Sequence, residues 1–227
     1  VDAFQFNDHL MPFSHFGGIQ NPENQTNQLP LDTIEDFEDW ISRIEKLDEV
    51  IDQEMKLAEE GRKRSVMPPK ILMQRILDQL ALQIVEFAHD SPLFVAIDEM
   101  PDTFAAADRE RLRARATDAL EDQVLPAYKK LERYFNQKYL PAARDSIGLS
   151  AAPNGSAWYG HLTRSYTTTR MTPDDIHRLG LEEVNRIRGE MMDVIKEVSF
   201  DGSFKEFLEF LRTDPQFYYD TPEELYE

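Results

Sequence analysis

Apolar residues recur at steps of three and four along most of this chain, which is the period of helices with one buried face. One such stripe comprises Ile34, Phe37, Ile41, Ile44, Leu47, Ile51 and Met55. A second stripe, which follows two prolines, comprises Leu72, Ile76, Leu80, Ile84 and Phe87. No stretch alternates apolar and polar residues for long enough to predict a strand. The pattern therefore predicts an all-α fold, built as a multi-helix array.

Local signals mark the two ends of the first stripe. Asp32 followed by Glu35 resembles a capping box, in which two residues satisfy the free amides of a helix N-terminus. Gly61 suits the left-handed conformation that often closes a helix, because glycine has no Cβ to clash. We therefore expect one helix to run from about Asp32 to near Gly61.

The second half of the chain carries three further helical signals. A helical pattern covers residues 104–140, with Pro126 inside it. Because proline lacks an amide hydrogen and clashes with the preceding turn, we predict a kink or a fresh helix start there. Thr172, which precedes a proline and two acids, predicts the N-cap of another helix. Ser203 with Glu206 predicts a capping box for the next.

The first 30 residues lack the helical period. Their stretch HFGGIQNPENQTNQLP is rich in Asn, Gln, Gly and Pro, which predicts an irregular arm. Four phenylalanines could still attach this arm to the helices, namely Phe4, Phe6, Phe13 and Phe16. We therefore divide the chain into an irregular arm, residues 1–30, and a helical domain, residues 31–227.

The last residues predict the start of a helix. Thr221 suits an N-cap, Pro222 suits the first helical position, and Glu223 and Glu224 would lie in the first turn. The chain stops at Glu227, and a single turn of helix is costly to nucleate. We therefore expect the helical domain to be truncated at its carboxyl end, with the rest of a larger parent protein absent.

Composition excludes several classes of function. The chain has 25 Lys and Arg against 43 Asp and Glu, a formal net charge of −18. Such a charge repels phosphate backbones, so we predict no nucleic-acid partner. The absence of cysteine excludes disulfides and thiol nucleophiles. No apolar run approaches the roughly 18 residues of a transmembrane helix, so we predict no membrane-spanning segment.

The familiar catalytic and metal-binding motifs are also missing. None of the five histidines belongs to an HExxH motif, and no two are spaced by four residues, which would place them on one helix face. No phosphate-binding glycine loop and no GxSxG motif occurs. We therefore assign no catalytic residue and no metal ligand to this chain.

The densest group of polar and aromatic residues lies between positions 158 and 177. It provides five candidate substrate-binding residues: Tyr159, Arg164, Tyr166, Thr168 and His177. Tyrosine, arginine and histidine could hold a carboxylate or amide of a peptide-like ligand. Alternatively, Trp158, Leu162 and Tyr166 pack as core residues. Arg164 would then cap the carbonyl groups at the end of its helix.

The same region resembles a known bacterial family. The motifs that carry the resemblance are Pro153-Asn154-Gly155, Tyr166 to Thr169, Thr172 to His177, Gly180 to Ile187 and Leu211 to Tyr218. They are similar to those of the family called domain of unknown function 885, from about residue 70 onwards. Asp175 departs from the family pattern, in which glutamate is usual, and keeps the charge on a shorter side chain.

The resemblance implies a mostly helical, zincin-like metallopeptidase as the parent protein. Family members carry an HExxH-like zinc motif in their carboxyl-terminal half, so zinc is expected in the half that this chain lacks. This chain would be the amino-terminal part, form one wall of a cleft for a peptide substrate, and be inactive alone. Its first partner would be the missing half of the same protein.

The resemblance also bears on location. Many members carry a secretion or lipoprotein leader, which favours an extracytoplasmic protein, periplasmic or lipid-anchored, although a cytoplasmic location stays open. The alternative to a hydrolase is a non-catalytic, extracytoplasmic helical module that binds a peptide or a protein partner. An apolar face left uncovered by the missing half could also make the chain a homodimer.

Overall fold

The computed structural model describes residues 6–226, apart from the side chain of Asn27, so Phe4 lies outside the described residues. Between residues 6 and 226 there is no strand, and two isolated bridges join Ser14 to Gly17 and Pro69 to Arg144. The prediction of an all-α fold is confirmed. The helices are α1 (Ile34–Ile44), α2 (Leu47–Lys63), α3 (Lys70–Leu82), α4 (Val95–Asp98), α5 (Ala106–Ala119), α6 (Leu125–Tyr134), α7 (Leu140–Ala142), α8 (Gly155–Thr167), α9 (Pro173–Glu197), α10 (Phe204–Thr213) and α11 (Pro222–Tyr226).

The chain divides into two compact units, Val1–Tyr159 and Gly160–Glu227. The boundary predicted after residue 30 is a different division, and it stays a prediction. The first unit has a large apolar core, which includes Phe37, Ile41, Ile51, Met73, Ile76, Leu80, Leu112, Tyr128, Leu131 and Phe135. In the second unit an aromatic cluster joins α10 to its flanking segments, with ring centroids 5.1 Å apart for Phe200 and Phe207 and 5.3 Å apart for Phe210 and Phe217.

The capping box of α1 lies one residue later than predicted. The Thr33 hydroxyl accepts a hydrogen bond from the Asp36 amide at 3.2 Å, and the Asp36 carboxylate accepts one from the Thr33 amide at 2.8 Å. The prediction of Asp32 and Glu35 is therefore wrong. The Asp32 amide instead donates to the same Asp36 carboxylate at 3.2 Å, so that one side chain serves two backbone groups.

The first predicted helix is two helices, and Gly61 does not end the second. The helix α1 ends at Ile44 and α2 runs on to Lys63, while Ser65 takes the left-handed conformation with φ of 58°. Gly61 is buried inside α2, where a Cβ would collide with the carbonyl oxygen of Leu10. Glycine is therefore required here by the close approach of the arm and not by the helix end.

The predicted interruption near Pro126 is confirmed, and a second one follows it. The helical stretch from α5 to α7 contains two wider π-helical turns, Leu120–Val124 and Phe135–Tyr139. Pro126 and Pro141 each follow such a turn. A proline cannot donate to the carbonyl four residues back, and its ring clashes with that group, so the wider turn relieves both problems.

The irregular arm is part of the first unit and packs against the helices of that unit. Leu10 and Phe13 are buried. The Tyr128 hydroxyl donates a hydrogen bond to the Ile19 carbonyl at 2.6 Å, and the Gln79 amide donates to the His15 carbonyl at 3.1 Å. Side chains of the helices thus satisfy backbone groups of the arm that no regular structure would satisfy.

An ion pair on α2 gives the stability of this unit a dependence on pH. Arg62 donates two hydrogen bonds to the Glu59 carboxylate, at 2.9 and 2.8 Å. Because the guanidinium favours the charged form, it lowers the pKa of Glu59 from 4.5 to about 2, and the Tyr134 hydroxyl assists. The contribution to stability is complete above about pH 4.5 and is lost as the pH falls through about 2.

We therefore expect Glu59→Gln to weaken the pH dependence of the free energy of unfolding on the acid side. Urea unfolding measured between about pH 6 and about pH 3 should show a shallower decline for the variant than for the wild type. Glu35→Gln, which alters an exposed carboxylate on α1, provides the control and should leave the decline unchanged. Identical slopes for all three proteins would contradict the assignment.

Candidate functional site

The five predicted binding residues lie on α8, just after it and on α9. Tyr159, Arg164 and Tyr166 belong to α8, Thr168 follows its last residue, and His177 lies in the second turn of α9. All five are exposed. Tyr159 and Tyr166 are separated by seven residues, two helical turns, and so lie on the same side of α8.

The N-terminus of α8 is built by the motif Pro153-Asn154-Gly155. Asn154 is left-handed, with φ of 55°, a conformation that asparagine tolerates better than most residues. Gly155 is buried against the backbone at Leu149 and Ser150, where a Cβ would collide with the Leu149 carbonyl oxygen. The motif therefore lets the chain turn tightly into α8.

The proposed packing role suits Trp158 and does not suit Tyr166. Trp158 is 5% exposed and stacks on Phe6, with ring centroids 5.9 Å apart. Leu162 is half-buried. Tyr166 is 85% exposed, so its ring does not belong to the core. The alternative, in which Tyr166 packs as a core residue, is therefore not supported.

Two of the three consecutive threonines have a local structural role. The Thr167 hydroxyl donates to the Thr163 carbonyl at 2.8 Å and lies 2.9 Å from the Thr169 hydroxyl. The Thr169 hydroxyl accepts a hydrogen bond from the Met171 amide at 3.3 Å. These side chains satisfy backbone groups of the connection between α8 and α9.

Thr168 differs from both neighbours. Its φ is 56°, in the left-handed region, which is unusual for a β-branched residue. Its amide donates to the Arg164 carbonyl at 3.0 Å and closes α8. Its exposed hydroxyl has no hydrogen-bond partner among residues 6–226. Such backbone strain, about 1–3 kcal/mol, is common where a side chain must be held for a ligand.

Thr172 caps the N-terminus of α9, as predicted from the sequence, and the structure shows that Asp175 completes a capping box with it. The Thr172 hydroxyl donates to the Asp175 carboxylate at 2.7 Å and accepts from the Asp175 amide at 3.2 Å. The hydrogen bond from the Thr172 side chain lowers the pKa of Asp175, and an ion pair with Arg178 contributes as well. Asp175 is therefore occupied with holding the helix start, whereas His177 in the next turn is exposed.

Most apolar side chains of α9 are exposed in the part of the chain that the structure describes. These exposed residues recur at steps of three and four, and we call them the α9 stripe: Leu181, Val184, Ile187, Met191, Val194 and Val198. Val184 is 63% exposed and Val198 is 58% exposed, whereas Ile195 on the same helix is buried. The exposure of this apolar face became visible only in the structure.

The chemistry that these residues offer is binding. Tyrosine and threonine hydroxyls, a guanidinium and an imidazole can each donate a hydrogen bond to a carboxylate or carbonyl oxygen. Among residues 6–226, no three His, Asp or Glu side chains come together in a set that could hold a metal ion. Within the same range, no helix combines the length and apolar character needed to cross a membrane.

Comparison with known proteins identifies the family. The model of DUF885, described as a bacterial protein of unknown function, matches residues 2–227. The chain belongs to the DUF885 family. The match includes the arm as well as the helices, and thus extends beyond the motifs that the sequence first suggested. No curated protein matches this DUF885 chain.

A solved structure shares the fold. The crystal structure of the putative lipoprotein from Colwellia psychrerythraea superposes with a TM-score of 0.82 at 24% sequence identity. The superposition covers 95% of this chain and 38% of that protein, so the DUF885 chain spans well under half of that relative. At this level of identity the likeness shows a common fold.

Proposed function

We propose that this chain is the helical amino-terminal part of a larger zinc-dependent, peptidase-like hydrolase that acts outside the cytoplasm. In this proposal the chain forms one wall of the substrate cleft and is not active alone. The observation that carries it is the α9 stripe, a row of exposed apolar side chains on a 25-residue helix. The match places the chain in the DUF885 family, and the relative described as a lipoprotein supports a location outside the cytoplasm.

The α9 stripe is expected to pack against another apolar surface. Burial of apolar surface contributes about 25 cal/mol per Å², and contiguous exposed apolar patches of this kind mark interaction surfaces. Charged residues such as Arg186 and Glu190, which pair at 2.6 Å, occupy other positions of the helix. The simplest packing partner is a further part of the same protein. The matched region makes up 38% of the Colwellia protein, so that relative has other parts that could fill this role.

The exposed groups around Thr168 would then face a ligand. Tyr166 and Arg164 lie on the last turns of α8, and neither has an ion-pair or hydrogen-bond partner for its side chain among residues 6–226. Both can donate to the carbonyl oxygens or terminal carboxylate of a peptide, and so can His177. This chain would orient the substrate. The zinc would be bound by the remainder of the protein, where it would polarise the amide and activate water.

Activity measurements on the complete protein test this proposal. We expect bound zinc, hydrolysis of peptides, and a fall in turnover of at least about tenfold for Tyr166→Phe and His177→Ala, with little change in melting temperature. Thr168→Gly should remove backbone strain, raise the free energy of unfolding by about 1 kcal/mol and still lower turnover. Tyr219→Phe, an exposed tyrosine of the second unit outside the candidate residues, is the matched control.

Each result has a defined meaning. If the complete protein binds no zinc and cleaves no peptide, the proposal of a zinc-dependent hydrolase is refuted. If that protein still bound peptides, the alternative function, a non-catalytic module that binds peptides, would be supported in place of the hydrolase. Parallel losses of activity and melting temperature in the variants would assign Tyr166 and His177 a structural role.

A further inference from the structure

The arm, α1 and α2 line an open apolar pocket in the first unit. Its volume is about 350 Å³, within the range of pockets for small organic ligands. The apolar lining includes Ile19 of the arm, Trp40 and Ile44 of α1, Leu47 of α2, and Leu93. Four separate segments of the chain therefore converge on one cavity.

The wall that the arm supplies is fixed in place. The Tyr128 hydroxyl donates to the Ile19 carbonyl at 2.6 Å. The Gln20 side chain is fully buried and donates to the Ser14 carbonyl at 2.5 Å. The first contact holds the arm against α6, and the second fixes the arm to itself, so this wall of the pocket is formed before a ligand binds.

Two opposite charges line this pocket. Arg43 of α1 is exposed, and Glu54 of α2 is half-buried. Neither makes an ion pair or side-chain hydrogen bond with another group among residues 6–226, although most of the acids on α2 near Arg62 and Arg64 are paired. Burial raises the pKa of Glu54 above 4.5, which is the expected effect of an apolar environment with no compensating cation.

We propose that this pocket binds an apolar amino acid or dipeptide with both ends free. The apolar side chains of the ligand occupy the cavity, its carboxylate pairs with Arg43, and its ammonium group pairs with Glu54. A phosphate or a second carboxylate in the same place would be repelled by Glu54. An uncharged hydrocarbon would bury that carboxylate further without providing the cation that it lacks.

The proposal is separate from the proposed hydrolase. No residue of the pocket is among the five candidate substrate-binding residues, and no metal is involved. Binding here can therefore fail while peptide hydrolysis succeeds, and the reverse also holds.

Calorimetry with leucyl-leucine and with leucine tests the proposal on the purified protein. We expect saturable binding of at least one of them with a Kd below about 1 mM. N-acetylation or amidation of the ligand should each weaken binding at least about tenfold. Glu54→Gln should remove the discrimination against the acetylated form, and Arg43→Gln should remove the discrimination against the amide.

Matched variants separate these effects from general changes in charge. Glu35→Gln on α1 and Arg75→Gln on α3 alter exposed residues outside the pocket lining and should bind as the wild type does. Val50→Trp should fill the cavity and abolish binding at an unchanged melting temperature, because Val50 lines the pocket and is 38% exposed.

Fluorescence gives an independent readout. The protein has two tryptophans, so Trp158→Phe leaves Trp40, in the pocket wall, as the reporter. Leucyl-leucine should shift its emission with the affinity that calorimetry finds. The absence of saturable binding, equal binding of blocked and free ligands, or Glu54→Gln and Arg43→Gln variants that behave as the controls do would each overturn the proposal.

Discussion

Replacing Phe13 with alanine should lower the free energy of unfolding by about 3–4 kcal/mol. Phe13 is 4% exposed, although it lies between two short 3-10 helices of the arm, Asp8–Leu10 and Pro22–Gln28, and in neither of them. Its ring lies edge-on to Phe135 and Tyr139, with centroids 5.5 and 5.0 Å away. Truncation would remove both aromatic contacts and leave a cavity that the surrounding helices cannot fill.

Phe16→Ala is the matched control for this prediction. Phe16 lies three residues further along the arm and is 88% exposed, so its truncation should change stability by less than about 0.5 kcal/mol. Urea unfolding followed by circular dichroism measures both variants. Equal and small losses would show that the arm is an appendage, and that its buried phenylalanine contributes nothing to the core.

Replacing Gly155 with alanine should lower the free energy of unfolding by about 2–3 kcal/mol. A Cβ at this position would collide with the backbone carbonyl of Leu149, and backbone atoms cannot move aside as the end of a side chain can. The N-terminus of α8 would have to shift. Thermal unfolding and hydrogen exchange of the amides of α8 measure the effect.

Gly148→Ala separates this collision from the general effect of replacing a glycine. Gly148 lies in the same unit with φ of −70°, and a Cβ there would lie 3.4 Å from the Ser150 hydroxyl, the end of a flexible side chain. We expect a change of less than about 1 kcal/mol. If both variants lost the same stability, the close approach at Gly155 would not be the cause.

Much of the candidate site follows from local sequence. Thr172 and Asp175 form a capping box because a threonine hydroxyl and a carboxylate three residues later reach each other's amides in any helix start. Thr167 and Thr169 likewise bond to backbone groups within four residues. Such contacts depend on nearest neighbours along the chain. The sequence predicted Thr172 as the cap, whereas the hydrogen bonds of Thr167 and Thr169 became visible only in the structure.

The pocket could not have been predicted in this way. It brings together Ile19, Arg43 and Glu54, which belong to three different segments. The closest local signal was the composition of the arm. That composition indicated irregular structure, but it did not indicate where on the helices the arm packs. The same limit explains Gly61, whose glycine is required by the Leu10 carbonyl from a segment about 50 residues away along the chain.

The sequence by itself determined that the chain is helical, the caps that begin α9 and α10, and the interruption before Pro126, because hydrophobic period, hydrogen-bonding side chains and proline act over one or two helical turns. The tertiary structure decided which apolar faces are buried. Ile41 and Val184 lie on stripes with the same period, yet Ile41 is fully buried and Val184 is 63% exposed. Periodicity records that a face is apolar, and burial depends on what packs against that face.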